Sequence, residues 1–275
     1  MSLTNKIDFA VVFKVKNANP NGDPLNGNRP RTNYDRIGEV SDVCIKRKIR
    51  NRLMEKGKEI FVQSDDNKVD DCKNLRERAE TVLDSKKSSK ENAKLACDKW
   101  FDVRAFGQVF AYAGETKGSG VSIGVRGPVS IHTAFSLSPV EVTSTQITKS
   151  VSGEGDGTKK GSDTMGMKHR IDKGTYLFFG SMNPQLASKT GFSDDDAQAI
   201  KDILPKIFEN DASSARPEGS MEVLKVVWWQ HNSPHGQASS AKVHRSLTVN
   251  ETDDLDKLIS FVGINGLKPV VIDGV

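Results

Sequence analysis

The chain has 275 residues, of which 36% are hydrophobic and 28% charged, with a formal net charge of +4. This length suits one large domain with insertions or two small ones, and the mild charge requires any nucleic-acid contact to be local. No segment resembles a signal peptide or a membrane span, and the few, widely spaced cysteines predict reduced thiols, so we expect a cytoplasmic protein.

The first element is a strand followed by an unusual loop. Large apolar residues occupy the odd positions of residues 7–15 and alternate with Asp8, Ala10, Val12 and Lys14, which predicts a strand with one buried face. Residues 17–36 then hold six Asn, three Pro, three Arg and two Gly. This composition favours tight turns, exposed backbone N–H groups and accessible guanidinium groups. The loop therefore indicates a site for a phosphate-rich partner.

A basic helix is predicted over residues 40–56. Its buried stripe, at i, i+4 and i+8, consists of Ile45, Ile49 and Leu53. The neighbouring face carries Lys46, Arg47 and Arg50. These side chains could contact successive phosphates, or they could form an ordinary solvated helix face.

Residues 57–120 are polar and weakly patterned, and we expect short helices near 72–84 and 90–101 inserted between core elements. Over residues 121–137 the apolar side chains fall at odd positions, which predicts a strand with a bend at Gly127-Pro128. The odd positions, including Phe135, are expected to face the core.

A polar, Gly/Ser/Thr/Lys-rich segment follows over residues 143–168 and predicts an extended hairpin arm. Its charged and soft apolar side chains include Lys149, Met165, Met167, Lys168 and His169. Such an arm could lie across a nucleic-acid strand and wedge between bases. A surface loop is the alternative.

The remaining pattern completes a recognisable order. We predict a strand at 174–180, a helix at 193–210 kinked at Pro205, a strand at 221–230 and a short helix near 253–262. The order strand, helix, strand, strand, helix, strand predicts an α+β chain with a ferredoxin-like or RRM-like βαββαβ core. The fold class is thus a single RRM-like domain over residues 1–275, with insertions at 57–120 and 143–168.

No residue set supports catalysis, and we predict no catalytic residue, cofactor or metal. Phosphate-binding and dinucleotide-binding glycine motifs are missing from the sequence. His231 and His235 have a metal-like spacing, but Pro234 interrupts any helix there. The acidic run at 194–196 suits a helix start, and Asp23 and Asp35 suit turns.

Seven motifs then carry a family resemblance, in order along nearly the whole chain. They are NPNGDP (19–24), NRPRT (28–32), SDVCIKRKIRN (41–51), FDVRAFG (101–107), GVRGPVSI (124–131), SLSPVEV (136–142) and DTMGMKHRID (163–172). Together they resemble the repeated backbone subunit of CRISPR Cascade complexes, in its subtype I-C version.

The resemblance implies an RRM-like palm, a helical finger at 57–120 and a thumb hairpin at 143–168. It implies copies that assemble head to tail on crRNA, leaving guide bases free to pair with target DNA, beside other Cascade subunits. The residues expected to contact RNA are Asn19, Asn21, Arg29, Arg31, Lys46, Arg47, Arg50, Arg104, Lys149, Met165, Met167, Lys168 and His169.

Two other functions compete with this one. Related CRISPR backbone subunits of another type cut target RNA with a loop aspartate and a divalent metal, and Asp23 or Asp35 could act in that way here. A structural filament or shell protein that binds no nucleic acid is the third possibility.

Overall fold

The structure, a computed structural model, describes residues 1–84, 86–112, 121–150, 165–264 and 266–275. The helices are α1 (Asp42–Glu55), α2 (Leu75–Glu80), α3 (Ser89–Lys99), α4 (Phe101–Phe106), α5 (Pro184–Thr190), α6 (Asp194–Ile203) and α7 (Ser240–Arg245). The strands are β1 (Ile7–Ala18), β2 (Gly22–Asp23), β3 (Arg29–Pro30), β4 (Ile37–Val40), β5 (Gly107–Tyr112), β6 (Val121–Arg126), β7 (Val129–Ile131), β8 (Ala134–Pro139), β9 (Val142–Thr148), β10 (Met165–Met182), β11 (Met221–Gln230), β12 (Leu247–Val249), β13 (Ile259–Phe261) and β14 (Val270–Asp273).

A central antiparallel sheet organises this mixed α+β fold. Its strand order is β14-β11-β1-β10-β8-β4, and β7 and β9 also pair with β10. The four predicted core strands correspond to β1, to β6–β8, to β10 and to β11. If they are numbered 1 to 4 along the chain, their order across the sheet is 4-1-3-2. The predicted α+β class with a central sheet is confirmed.

The main core lies between the sheet and helices α1 and α6. Phe13 stacks on Tyr176 with ring centroids 5.2 Å apart, and Phe9 stacks on Trp228 at 5.6 Å. The buried stripe of α1 and the apolar face of α6 pack against these rings. Burying each such aromatic side chain contributes roughly 1.5–3 kcal/mol. The even-numbered residues of β1 face the other side, where Ala10 packs under α7.

Residues 57–112 and 121–126 form a second, smaller core. The rings of Phe61, Trp100 and Phe110 meet there, with Phe61 4.8 Å from Trp100 and 5.0 Å from Phe110. The predicted helices near 72–84 and 90–101 are confirmed as the shorter α2 and α3. This part of the chain also contains α4 and a hairpin of β5 and β6, which the pattern did not predict.

The single strand predicted over 121–137 is wrong in two respects. It is three strands, and β6 pairs with β5 outside the central sheet. Gly127 allows the break, because a Cβ there would lie 2.3 Å from the carbonyl oxygen of Ala105. The alternation then restarts after residues 132–133, so Ala134 and Ser136 are buried while Phe135 is 46% exposed.

Two predictions near the C-terminal end also differ from the structure. The predicted helix 193–210 ends as α6 at Ile203 and continues as a 3₁₀ turn, Leu204–Lys206, around Pro205, which has no N–H to donate. The helix predicted near 253–262 is wrong, since that region contains β13, paired with β12. Helix α7 was missed because six residues are too few for a periodic signal.

The predicted arm is built on the longest strand. β9 pairs with the first seven residues of β10, Met165 to Ile171, and the same strand runs on to Met182 through the predicted strand 174–180. Residues 151–164 of the predicted arm lie outside the described residues.

Candidate nucleic-acid interface

The loop after β1 is fixed at its start by asparagines. Asn17 adopts a left-handed conformation, with φ of 53°, which asparagine tolerates better than most residues. Asn19 is buried, and its Nδ2 donates to the carbonyl oxygen of Asn28 at 2.7 Å. Its backbone N–H donates to Ala215. Asn19 therefore holds the two ends of the loop's first turn together.

Asn21 joins the same loop to the start of α1. Its Oδ1 accepts hydrogen bonds from both the backbone N and the Oγ of Ser41, each at 2.9 Å. Ser41 is the N-cap of α1 and accepts from the backbone N of Cys44. The position of the loop and that of the helix N-terminus are thus set by one side chain.

The tip of the loop is a small hairpin that presents arginines. In β2 and β3, Asp23 lies opposite Arg29, and Asp23 forms an ion pair of 3.4 Å with Arg31. Arg29 is exposed and makes no ion pair within the described residues. Leu25 and Tyr34, which the sequence analysis did not select, are fully exposed beside them.

Two buried polar atoms of this loop have no hydrogen-bond partner among the described residues. They are the Oδ1 of Asn19, an acceptor, and the Nε of Arg31, a donor. Leaving such an atom unsatisfied costs about 1–3 kcal/mol, so each one calls for an explanation. Both atoms are covered by the protein in this conformation, so they are internal features of the loop and not contacts open to a ligand.

Two of the three predicted basic residues of α1 lie at its surface. Lys46 is partly exposed, forms an ion pair of 2.9 Å with Asp42 and lies 5.9 Å from the Phe106 ring centroid. Arg47 is also partly exposed. The neighbouring Ser64 hydroxyl and the backbone N–H of Asp66 lower the pKa of the Asp66 carboxyl, and the charge of Arg47 adds to this effect. Both cations are close enough to solvent to meet a ligand.

Arg50 does not belong to this surface. Its Nε donates to Asp102 at 2.8 Å, its guanidinium lies 5.2 Å from the Phe106 ring centroid, and the residue is 9% exposed. The same Asp102 carboxylate accepts from the backbone N of Phe61 and of Val62. The predicted phosphate contact is therefore replaced by a structural role that ties α1 to the segment after it.

Arg104 is also held within the protein. Its Nε and Nη2 donate to the two carboxylate oxygens of Asp196 at 2.9 and 2.8 Å. Burial alone would raise the pKa of Asp196, but the bonds from Arg104 and Ser193 outweigh it and lower that pKa. Arg104 stacks on Phe101 as well. The structure thus gives Arg104 a packing role, and its contact with RNA stays a prediction.

Two further basic residues of α1, Lys48 and Arg52, are buried. Lys48 pairs with Asp211, which also pairs with Arg216 at 2.9 Å. Burial lowers the pKa of Lys48, and the charge of Asp211 opposes this. Arg52 pairs with Glu55 at 2.6 Å. The burial of these two side chains cannot be predicted from the local sequence, because the tertiary fold decides which partners or elements cover them.

The arm separates its predicted contact residues between two faces. Residues directly opposite each other in antiparallel strands share a face, and Met165, Met167 and His169 lie opposite Thr148, Gln146 and Ser144. Met165 and Met167 are 65% and 55% exposed. The Nδ1 of His169 is 2.8 Å from the Oγ of Ser144.

Lys168 lies on the opposite face of the arm, across from Thr145. Lys149 follows β9 directly and is exposed. The arm therefore offers one face of soft apolar side chains with a histidine, and another with a lysine.

Three of the residues considered for catalysis or metal binding contact other protein groups. Asp23 is paired with Arg31, and Asp196 forms a capping box with Ser193 at the start of α6. The Nε2 of His231 is 2.9 Å from Asp8 in a buried network. Within the described ranges, no group of three or more His, Cys, Asp or Glu side chains is placed to hold a metal ion. No helix in those ranges is long and apolar enough to cross a membrane.

Comparison with known proteins decides the family. Residues 5–264 match the family described as CRISPR-associated protein Cas7. The chain belongs to the Cas7 family. A CRISPR-associated protein Cas7 from Haloferax volcanii is 25% identical over 255 residues, covering 82% of this chain and 71% of that protein.

Two chains of solved structures are similar to this chain. A chain of a CRISPR RNA-guided surveillance complex in a pre-nicking state is similar, with a TM-score of 0.51 and 16% identity over 90% of this chain and 82% of its own. A chain of another CRISPR RNA-guided surveillance complex covers 91% of this chain and 78% of its own, with a TM-score of 0.48 and 16% identity.

Proposed function

We propose that this Cas7-family chain is the crRNA-binding backbone subunit of a type I-C CRISPR interference complex in the cytoplasm. The match to the Cas7 family over residues 5–264 carries the proposal. In it, the sheet with α1 and α6 is the RRM-like palm, residues 57–120 are the finger, and residues 143–168 are the thumb.

The guide interface consists of the loop 17–36, the exposed side of α1 and the arm. The exposed Arg29 and the Arg31 side chain, which is 37% exposed, support ribose and phosphate contacts there. Arg29, Lys46 and Arg47 supply positive charge near solvent. The interface retains Asn21 as the residue that positions the loop, and it sets aside Arg50 and Arg104, whose guanidinium groups are already paired.

Sequence-independent binding follows from the chemistry of these groups. Cations and backbone N–H groups recognise phosphate and sugar, which every guide shares, and leave base edges free for target DNA. On the arm, the exposed Met165 and Met167 present soft apolar surface that can pack between unstacked bases. Lys149, Lys168 and His169 add polar contacts from the same hairpin.

Assembly on the RNA supplies the affinity that one copy lacks. Identical copies on a directional strand must meet head to tail, through a heterologous interface that propagates as a helix. Linked along one RNA, weak contacts add through effective concentration. The net charge of +4 limits repulsion between neighbouring copies. Other subunits of the complex would contact the ends of the stack.

The test is RNA binding by a double charge reversal, Lys46→Glu with Arg47→Glu. Because each lost phosphate contact reduces counterion release, we expect binding to weaken about tenfold or more and the salt slope to fall by about 1–2, equally for unrelated guides. Filter binding at several salt concentrations with two guide sequences measures both.

Lys268→Glu, an exposed lysine of the C-terminal segment, is the matched control. A salt slope unchanged in the double variant, or reduced as much in the control, would count against the interface. Incubation of labelled RNA with magnesium tests the prediction of no catalysis, because cleavage that Asp23→Asn abolishes would support the enzymatic alternative instead.

A further inference from the structure

A cleft lies on the face of the central sheet that points away from α1. Its volume is about 370 Å³, and it is lined by β1, β10, β11 and the loop between β12 and β13. Lys14 and Lys16 of β1 face this cleft, whereas the odd-numbered residues of the same strand face the main core. Lys173 of β10 joins them, and we call this space the lysine cleft. The described residues of the guide interface do not line it.

The lysine cleft places three positive charges on one face of two paired strands. Lys16 and Lys173 lie directly opposite each other in β1 and β10, and Lys14 is two residues before Lys16. Both members of the opposite pair are exposed. Like charges in directly opposite positions of an antiparallel pair repel each other and destabilise the sheet. A carboxylate placed between the two ammonium groups would remove this repulsion.

One carboxylate of the chain itself serves two of these lysines. The Oδ1 of Asp253 is 2.7 Å from Lys14 Nζ, and its Oδ2 is 3.5 Å from Lys173 Nζ. The hydrogen bond from Lys14 lowers the pKa of Asp253, and the charge of Lys173 adds to this effect. Lys16 forms no ion pair with a described residue. The cleft therefore has room for a further carboxylate beside Lys16 and Lys173.

The lining favours a carboxylate of a protein over a nucleic-acid strand. Glu222 and Asp253 already lie in the cleft, and their charges would repel a chain of phosphates. Leu224 and Leu255 are also in the lining, and Leu255 is 44% exposed. A surface that combines cations with apolar side chains suits an acidic protein segment that carries an apolar residue of its own.

The smaller core carries a segment of this composition. Residues 65–71, which we call the acidic segment, contain four aspartates and one lysine. Asp65 and Asp66 lie in a short 3₁₀ turn and are exposed. Val69, a few residues further on, is 75% exposed. The acidic segment thus matches the lysine cleft in charge and in its apolar part.

The acidic segment and the lysine cleft lie on opposite sides of the sheet. α1 covers the face that bears the main core. Arg47, at the surface of α1, contributes to the lowered pKa of Asp66 after the larger effects of the Ser64 hydroxyl and the backbone, so the acidic segment lies beside that helix. One copy cannot bring its own two surfaces together. Two copies stacked in the same orientation can, and the contact then repeats from copy to copy.

We propose that the lysine cleft of one copy binds the acidic segment of the next copy. Asp65 and Asp66 place carboxylates beside Lys16 and Lys173, and Val69 packs on the apolar part of the cleft. The inference names the surfaces of the proposed head-to-tail assembly and rests on that assembly. Two copies that met cleft to cleft would bring like charges together, so the contact also sets the direction of stacking.

Zero-length carbodiimide cross-linking with mass spectrometry tests this contact, because the reagent joins only a lysine and a carboxylate that touch. Equal amounts of ordinary and heavy-isotope-labelled full chain, freed of RNA by nuclease, are mixed before the reaction. We expect mixed-isotope peptides that join Lys16 or Lys173 to residues 65–71. The pair of Lys14 and Asp253, within one chain, is the internal control.

Two outcomes of the cross-linking would overturn the proposal. One is a sample in which Lys14 is joined to Asp253 but the lysine cleft gives no mixed-isotope peptide. The other is suppression of both kinds of cross-link by an added oligouridylate, since the cleft would then hold a strand. The reaction needs no RNA, so a chain that binds RNA on filters without these peptides would refute this contact alone. Peptides from a chain that binds no RNA would refute the guide interface alone.

Charge exchange supplies the decisive variants. Lys16→Glu with Lys173→Glu reverses the cleft, and Asp65→Lys with Asp66→Lys reverses the acidic segment. Each double variant should self-associate about tenfold more weakly than the parent chain in sedimentation velocity, because like charges would meet at the contact. An equal mixture of the two variants should recover association, since each reversed surface then meets a reversed partner.

Lys189→Glu with Lys268→Glu is the matched control, because it changes the net charge as much as the cleft variant at two exposed lysines outside the cleft. We expect it to associate like the parent chain. Far-ultraviolet circular dichroism checks that all variants fold. Equal weakening in the control, or a mixture of the two reversed variants that stays as dissociated as either one, would overturn the proposal.

Discussion

Arg50 is a charged side chain whose role is set by its partner rather than by its helix. Helical periodicity places it near Lys46, but the fold brings Asp102, from 52 residues further along, to 2.8 Å from its Nε. The Asp102 carboxylate is 1% exposed, so this pair is shielded from water. The sequence predicts on which side of a helix a residue lies. It does not predict which residues from distant parts of the chain pack against that side.

Replacing Arg50 by methionine should therefore destabilise the protein by about 3–5 kcal/mol, because Asp102 would keep a buried, unpaired charge. Urea unfolding followed by circular dichroism measures the change. Lys46→Met, on the same helix with a partly exposed ion pair, should change stability by less than about 1 kcal/mol. Equal effects of the two substitutions would contradict the structural role of Arg50.

Asp8 is the centre of a buried polar network beneath α7. Its Oδ2 is 2.9 Å from His231 Nε2 and 3.2 Å from Lys6 Nζ, and its Oδ1 is 3.5 Å from His244 Nε2. The Nδ1 of His231 accepts from the backbone N of Gln237, so the Nε2 carries the proton donated to Asp8. Burial alone would raise the pKa of Asp8, but these bonds and charges lower it well below its usual range.

A lowered pKa in the folded state means that the ionised Asp8 stabilises the fold above its ordinary pKa of 3.8, and that this stabilisation is lost as the pH falls below it. We expect Asp8→Asn to have a lower free energy of unfolding than the parent chain at pH 7. Between pH 5 and pH 2.5, the free energy of unfolding should fall less for Asp8→Asn than for the parent chain. Urea unfolding across this range measures the difference. Parallel curves for the two proteins would refute the assignment.

At the scale of elements, the local hydrophobic pattern predicted the long helix and strand that have a regular period of buried residues. The alternation in β1 and the stripe Ile45, Ile49 and Leu53 in α1 correctly predicted the elements and the residues that face the main core. The prediction that β1 has only one buried face is wrong, because its even-numbered residues up to Val12 are buried on the other side of the sheet. Where several short elements follow one another, pattern was insufficient. The two residues between β7 and β8 reversed which side chains are buried, and α7 is too short to be detected.

The candidate site was predicted in outline for a similar reason. Asn, Arg and Lys residues marked the loop and α1, while only the fold shows that Asn21 binds Ser41 and that Arg104 binds Asp196. Partners distant in sequence leave no periodic signal.

Asn21 links the loop after β1 to the start of α1, so its replacement should affect both the stability of the helix and the position of the loop. Asn21→Ala removes the acceptor of two hydrogen bonds from the N-cap of α1, which should cost about 1–2 kcal/mol of stability and weaken RNA binding independently of salt. Thermal unfolding and filter binding measure the two effects. Asn26→Ala, in the exposed turn of the same loop, is the control. A normal RNA affinity in Asn21→Ala would show that the loop does not need this clamp.

At the scale of the whole molecule, the sheet is covered on both faces while loop and arm extend from one end of it. α1 and α6 cover one face, and α7 with the C-terminal segments covers part of the other. β1 runs into the loop, and β10 begins in the arm, with Ala18 paired to Ile171 where the two meet. The proposed contacts of the loop and arm are thus carried by neighbouring strands of one rigid sheet.

Replacing residues 151–164 by a short Gly/Ser linker should leave the sheet folded and abolish ordered assembly on RNA, because the proposed thumb would be truncated. Far-ultraviolet circular dichroism reports folding, and electron microscopy of the protein co-expressed with a CRISPR array reports assembly. A linker of the same length as the removed segment controls for spacing. Regular filaments from the short-linker variant would refute the thumb assignment.

Asp102 accepts hydrogen bonds from α1 and from the first residues of the smaller core with a single carboxylate. A force that displaced the smaller core would have to break these bonds or carry α1 along with it. A displacement at Phe61 is therefore coupled, through Asp102 and Arg50, to the helix that bears Lys46 and Arg47.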